Sequence, residues 1–183
     1  MFLKRRLDID FTPFLTADYS QHQGSCIKHQ VHELTDIHER FGGFPDTYKL
    51  ENTLIHQLWW SNEQVDYDEF GRQLGMEVKT VSSIKQPPGC VIPWHRDTFY
   101  QIKSRWYSMH YRVMPILRAN IFLQDYKMGH FIQYQEIGQG NFVTVADWQA
   151  GDALMWDDQV EHLGANCGFE PKYTLQVSGF LTF

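Results

Sequence analysis

The chain has 183 residues and carries 22 acidic against 16 basic side chains, which gives a formal net charge of −6. With 43% hydrophobic and 15% aromatic residues it has too many large rings for a disordered chain, and it is long enough to bury a core. Non-specific binding of nucleic acid needs a surplus of Lys and Arg to displace counterions, and this chain has the opposite balance. We therefore expect one globular domain over residues 1–183 and no nucleic-acid partner.

The cysteines and the N-terminal residues indicate where the protein works. Cys26, Cys90 and Cys167 are scattered without the spacing of a zinc site or a disulfide framework. The basic residues 4–6 are followed at once by Asp8, and no apolar stretch of membrane-spanning length occurs in the sequence. These observations predict a soluble cytoplasmic protein without membrane contact.

Helical spacing of apolar residues is typical of the first 75 residues. We predict helices over 31–41, 48–60 and 70–74, and we expect His38 to lie on a solvated helix face together with His29 and His32. The first helix ends before Gly42 and Gly43, which are stop signals. Its apolar residues are Val31, Leu34, Ile37 and Phe41.

Short alternating runs bounded by Gly, Pro and Asp replace this pattern after Gly75. The predicted strands are 78–82, 90–95, 118–124, 131–135, 141–146, 153–156 and 173–180. Many short strands after a helical segment favour a mainly β fold, namely a double-stranded β-helix (jelly roll or cupin-like) with N-terminal helices packed on it. The sequence thus predicts a helical preface over 1–75 and a jelly-roll core over 76–183.

Two histidines and an aspartate form a candidate metal site. His95 and Asp97 stand two positions apart on a predicted strand, so their side chains project from the same face. His162 follows much later, after enough strands for the chain to return beside the first. Two imidazoles and one carboxylate leave three positions open on Fe(II), which suits a bidentate cofactor together with dioxygen.

Further candidates are basic or polar residues on later strands. Lys172 opens the apolar run 173–177, and because a buried ammonium group is costly without a partner, a carboxylate of the cofactor would serve as that partner. Arg118 and Asn120, two apart on a predicted strand, are candidates for contacting the cofactor or the substrate. A surface salt bridge is an equally good interpretation of Arg118.

With these residues the chain resembles the Fe(II)- and 2-oxoglutarate-dependent oxygenases, whose pattern is H-x-D/E, a long gap, a distal His and a downstream Arg or Lys. The resemblance covers roughly residues 78–180. Residues 88–95 and 148–162 are most similar to the aspartyl/asparaginyl β-hydroxylase branch. Two features depart from that branch: Asp97 stands where it lacks a carboxylate ligand, and Lys172 replaces its Arg, as in prolyl hydroxylases.

The resemblance implies that His95, Asp97 and His162 hold Fe(II) at the catalytic centre. It also implies that Lys172 pairs with the distal carboxylate of 2-oxoglutarate, and Thr174, on the same face, is expected to donate its hydroxyl to that carboxylate. The implied activity is hydroxylation of a C–H bond in a peptide side chain or a small molecule, coupled to decarboxylation of 2-oxoglutarate to succinate, with ascorbate as a candidate reductant. A cupin-like metal-binding module or isomerase that works without oxidation is the alternative.

The segment between Asp97 and Arg118 combines aromatic and basic residues, and we expect it to form a loop that recognises the substrate. Arg105 and Arg112 would then contact an acidic or peptide substrate. Stacking on a nucleobase is the alternative interpretation. The negative net charge favours a peptide or a small molecule.

Overall fold

The computed structural model describes residues 2–20, 23–26, 36–40, 42–106, 114–136 and 140–182. The strands in these ranges are β1 Phe2–Arg6, β2 Gln23–Ser25, β3 Leu54–Trp60, β4 Met76–Gln86, β5 Cys90–Arg96, β6 Ile116–Phe122, β7 His130–Glu136, β8 Val143–Val145, β9 Asp152–Trp156, β10 Val160–Asn166 and β11 Lys172–Leu181. The helices are α1 Thr12–Thr16, α2 Asp36–Arg40, α3 Leu50–Thr53, α4 Tyr67–Leu74 and α5 Tyr100–Trp106. None of these described helices has the length and apolar character needed to cross a lipid bilayer.

The strands form two antiparallel sheets. The larger sheet has seven strands in the order β1-β9-β6-β11-β4-β3-β2, and the smaller has four in the order β5-β10-β7-β8. Both sheets contribute to one buried cluster of aromatic and aliphatic side chains. Its members are Phe122, Ile132, Trp148, Leu154, Trp156 and Val160. The fold is therefore mainly β, with the two sheets packed on each other.

Alternation along the strands gives the larger sheet two different faces. In β6, Leu117, Ala119 and Ile121 belong to a second apolar cluster that also contains Phe14 of α1 and Phe70 of α4. These helices thus cover the outer face of the sheet. The intervening residues of β6 face the smaller sheet.

The register of β11 against β6 sets a row of polar side chains on that inner face. Its cross-strand pairs are Thr174 with Phe122, Gln176 with Asn120 and Ser178 with Arg118. On its other side β11 pairs with β4 along its whole length, from Lys172 opposite Gln86 to Leu181 opposite Met76. The candidate residues of β6 and β11 therefore lie on one surface, under the smaller sheet.

The prediction of a helix over 48–60 is wrong for most of its length. Helix α3 ends at Thr53, and β3 continues the chain as a strand between β2 and β4. A short apolar run fits both periods, and here pairing with β4 decides in favour of a strand. Together with β1 and β2, this strand shows that residues 1–75 are not the helical preface that the sequence predicted, because they add three strands to the larger sheet.

Other predicted elements are confirmed. Helix α4 contains the predicted 70–74 segment; the Asp66 side chain caps it by accepting from the Glu69 N–H, 2.9 Å away, and Gly75 ends it with φ of 70°. All seven predicted strand regions contain strands, although in the region 141–146 only the three residues of β8 form a strand. The predicted helix over 31–41 lies largely outside the described residues. Its described part is α2. The expected loop after Asp97 contains α5.

Candidate metal centre

Three side chains from two adjacent strands converge on one point. His162 of β10 lies directly opposite His95 of β5 in the antiparallel pair, and their ring centroids are 4.2 Å apart. Asp97 follows β5 immediately, and its Oδ2 lies 3.8 Å from Nε2 of His162. One ligand atom of each residue lies within 4.8 Å of those of the other two. The structure therefore brings together the three residues that the sequence proposed as metal ligands.

Backbone carbonyls fix the orientation of both imidazoles. Nδ1 of His95 lies 2.8 Å from the Pro93 oxygen, and Nδ1 of His162 lies 3.2 Å from the Val160 oxygen. Because a carbonyl oxygen can only accept, each Nδ1 donates its hydrogen to it and each Nε2 keeps a free lone pair. This arrangement is typical of histidines that bind a metal through Nε2.

The protonation states also fit a metal. Burial lowers the pKa of His95, and burial together with the charge of His95 lowers the pKa of His162 to about 3. Burial alone would raise the pKa of Asp97, but the charge of Arg118, together with the hydrogen bond from Trp156, holds it below its usual value. At neutral pH the cluster thus offers two neutral imidazoles and one carboxylate, the forms that bind a divalent cation.

Two side chains orient the carboxylate of Asp97. The indole Nε1–H of Trp156 donates to Oδ2 over 2.8 Å, and Nε of Arg118 lies 2.9 Å from the same oxygen. Both partners act on the same carboxylate oxygen. Sequence analysis did not identify Trp156, because an aromatic residue at the end of a strand gives no local sign of its partner.

Arg118 is not a surface residue, and that interpretation is wrong. Its side chain is 19% exposed and pairs with Asp97. Its Nη1 donates to Oε1 of Gln176 on the neighbouring strand, 2.5 Å away. Arg118 thus contacts the candidate metal site through Asp97.

Lys172 lies buried on the inner face of the larger sheet and is 4% exposed. Its Nζ donates to the carbonyl oxygens of Phe131, at 3.1 Å, and Ala165, at 2.9 Å. No carboxylate in the described part of the chain pairs with it, and burial lowers its pKa to about 7. Its hydrogen-bond partners among the described residues are therefore backbone carbonyls, and no carboxylate offsets its charge when the amine is protonated.

Two of the candidate metal ligands and this lysine line the same cavity. Its walls include His95, His162, Asn120, Lys172 and Thr174. The amide Nδ2 of Asn120 is buried and has no hydrogen-bond partner among the described residues. A buried donor without a partner is costly, so this atom indicates a polar ligand in the cavity.

Two sequence expectations about other residues have different outcomes. His38 is 5% exposed, and its Nε2 lies 3.0 Å from the Trp94 oxygen, so its predicted place on a solvated face is wrong. His29 and His32 lie outside the described residues, as does Arg112. Arg105 is exposed on α5, where its guanidinium lies 6.0 Å from the ring centroid of Trp106.

Comparisons with known proteins give the fold but no family. No protein-family model matches the sequence, and no curated protein matches it either. Among solved structures, a Pseudomonas putida prolyl-4-hydroxylase matches over 100% of this chain and 92% of its own, with a TM-score of 0.54 and 13% identity.

Two proteins of nogalamycin biosynthesis match as well. The non-heme α-ketoglutarate-dependent carbocyclase SnoK matches over 98% of this chain and 79% of its own, with a TM-score of 0.55 and 12% identity. The non-heme α-ketoglutarate-dependent epimerase SnoN matches over 99% of this chain and 76% of its own, with a TM-score of 0.50 and 12% identity. At these identities the likeness shows that the chain shares its fold with these three proteins.

The role of Trp156 leads to a prediction. The substitution Trp156→Phe removes the N–H that donates to Asp97 and keeps the ring, so we expect affinity for Zn(II) to fall by about tenfold. Competition with a chromophoric chelator measures this affinity. Trp148→Phe is the matched control, because Trp148 belongs to the same apolar cluster but donates to the Gln124 carbonyl. Equal losses in both variants would contradict the assigned role.

Proposed function

We propose that the protein is an Fe(II)- and 2-oxoglutarate-dependent dioxygenase that hydroxylates a C–H bond of its substrate. One observation carries this proposal: His95 and His162, whose ligand atoms lie within 4.8 Å of that of Asp97, line one cavity together with Lys172, which pairs with no carboxylate among the described residues. In this proposal the two packed sheets are a double-stranded β-helix, the jelly roll that the sequence analysis predicted. The aspartyl/asparaginyl β-hydroxylase branch stays a prediction.

The residues at the two ends of the cavity fit a dicarboxylic keto acid. Lys172 supplies a positive charge for the distal carboxylate, and the hydroxyl of Thr174 lies on the same strand face. The unpartnered amide of Asn120 supplies a donor between the lysine and the metal cluster. A ligand with a carboxylate at each end would therefore satisfy groups that the protein leaves without partners.

The ion would be held by His95, Asp97 and His162, a set of two imidazoles and one carboxylate that suits non-heme Fe(II). When bound, iron and 2-oxoglutarate would supply oxidising power, since dioxygen converts 2-oxoglutarate to succinate and carbon dioxide and leaves one oxygen atom for the substrate. The protein holds the carboxylate ligand in place through Trp156 and Arg118. Apolar walls that include Ile84, Ile92 and Ile132 limit access of water to the cavity.

The matched structures support this choice of chemistry. One is named a prolyl-4-hydroxylase, and two are named α-ketoglutarate-dependent enzymes, a carbocyclase and an epimerase. We propose hydroxylation because the hydroxylase matches over 92% of its own chain. The buried Lys172 disfavours the alternative of a non-oxidative cupin-like module or isomerase, because such a module has no need for a buried cation next to its metal site.

The proposal predicts iron-dependent turnover of 2-oxoglutarate. With Fe(II), ascorbate and 2-oxoglutarate we expect succinate release, measured by NMR, even without substrate. The substitution His95→Ala removes one proposed ligand and is expected to lower the rate by at least about a hundredfold. His56→Ala is the control, since His56 contacts the Tyr19 carbonyl away from the cluster. An unchanged rate in the His95 variant, or no succinate from iron-loaded protein, contradicts the proposal.

Protonation of Lys172 predicts a pH dependence of 2-oxoglutarate binding. Its pKa of about 7 means that most of the free protein carries a neutral amine at pH 8. A bound dianion favours the charged form and raises this pKa, so binding takes up close to one proton at pH 8 and weakens as the pH rises further. Anaerobic titration calorimetry of metal-loaded protein, in buffers of different ionisation enthalpy, measures the uptake.

The substitution Lys172→Arg is the matched control for that measurement. A guanidinium group stays charged throughout this pH range, so binding to the variant is expected to take up no proton at this position. A binding enthalpy of the unsubstituted protein that does not depend on the buffer would contradict the role of Lys172. Equal proton uptake by both proteins would contradict it as well.

A further inference from the structure

A second pocket, of about 190 Å³, lies against the candidate ligands His95 and Asp97. It shares His95 and Gln176 with the cavity that contains Lys172, and its own walls include Asp97 and Arg118. The two pockets thus adjoin each other at His95 and Gln176. The proposed 2-oxoglutarate site uses one of them and leaves the other for a different ligand.

The inner face of the larger sheet contributes hydrogen-bonding groups to this second pocket. Ser178 of β11 lies between Thr80 of β4 and Arg118 of β6 in the sheet register, and all three line the pocket. Among the described residues, the hydroxyls of Thr80 and Ser178 have no hydrogen-bond partner. Arg118 uses Nε for Asp97 and Nη1 for Gln176, and its Nη2 makes no hydrogen bond within the described chain.

The charges around the pocket favour an anion. Among the described residues that line it, Asp97 is the only carboxylate, whereas Arg96 and Arg118 are cations. On the proposed function, a divalent ion with Asp97, Arg96 and Arg118 has a charge of about +3, and 2-oxoglutarate with Lys172 adds about −1. A charge of about +2 then remains around the pocket, and an anion there would offset part of it.

We propose that this pocket binds a carboxylate group of the substrate, through Nη2 of Arg118 and the hydroxyls of Thr80 and Ser178. The substrate is accordingly a small carboxylic acid rather than a neutral molecule. A carboxylate offsets part of the remaining positive charge, and a charge-assisted hydrogen bond to a guanidinium is stronger than a neutral one. This inference rests on the proposed function, because the metal and 2-oxoglutarate enter the charge balance.

The experiment inserts a charge at Thr80, which contacts neither the metal cluster nor Lys172. Full-length protein loaded with Co(II) and 2-oxoglutarate under argon is titrated with phenylacetate and with its neutral counterpart phenylacetamide. We expect the acid to bind at least about tenfold more tightly than the amide. Thr80→Asp is expected to lower the affinity for the acid by at least about tenfold and to leave the amide unaffected. Thr80→Asn, the neutral match, is expected to change both by less than about threefold.

Several results would overturn the subsite. The first is equal affinity for phenylacetate and phenylacetamide. The second is an equal loss of affinity for phenylacetate in Thr80→Asp and Thr80→Asn. The third is a change in the Co(II) absorption spectrum showing that phenylacetate binds the metal directly. Affinities for Co(II) and 2-oxoglutarate are measured for every variant and are expected to stay unchanged. If the variants still bind Co(II) and 2-oxoglutarate but the charge at position 80 does not change the affinity for phenylacetate, only the proposed subsite is contradicted. If the unsubstituted protein does not bind 2-oxoglutarate, both the proposed function and the subsite are contradicted.

Discussion

The antiparallel pairing of β5 with β10 is the constraint on which the candidate site depends. It sets His162 directly opposite His95, at the place where β5 ends and Asp97 follows. Cross-strand neighbours in such a pair lie close enough for both imidazoles to reach one ion. A shift of one residue would turn His162 to the opposite face of its sheet and separate the ligands. The sheet register therefore determines whether the protein has a metal site.

Burial of charge connects this register to the proposed chemistry. Asp97 is stabilised by Arg118 and by the Trp156 indole, whereas Lys172 has two backbone carbonyls as its partners. Such an arrangement is costly for a free protein and becomes balanced when a divalent cation and a dicarboxylate enter. Arg118 also lines the second pocket, where it would extend the same balance to the proposed anionic substrate.

Local sequence signals predicted those features that local rules control. Alternation identified the strands around 118–124 and 173–180, and the spacing of His95 and Asp97 identified two of the three side chains that converge as a candidate metal site. The strand β3 was mistaken for a helix because its apolar residues fit both periods, and its pairing with β4 is a long-range effect. Contacts of Trp156 with Asp97, and the burial of His38 against Trp94, depend on registers between distant segments. No neighbouring residue in the sequence indicates them.

Anomalous X-ray scattering at the zinc edge tests the central claim most directly, on crystals of the protein grown with Zn(II) as a redox-inert substitute for iron. The account predicts one strong peak about 2.0–2.2 Å from Nε2 of His95, Nε2 of His162 and an oxygen of Asp97. A peak at other residues, or density showing the three side chains turned away from one another with no ion between them, would contradict it.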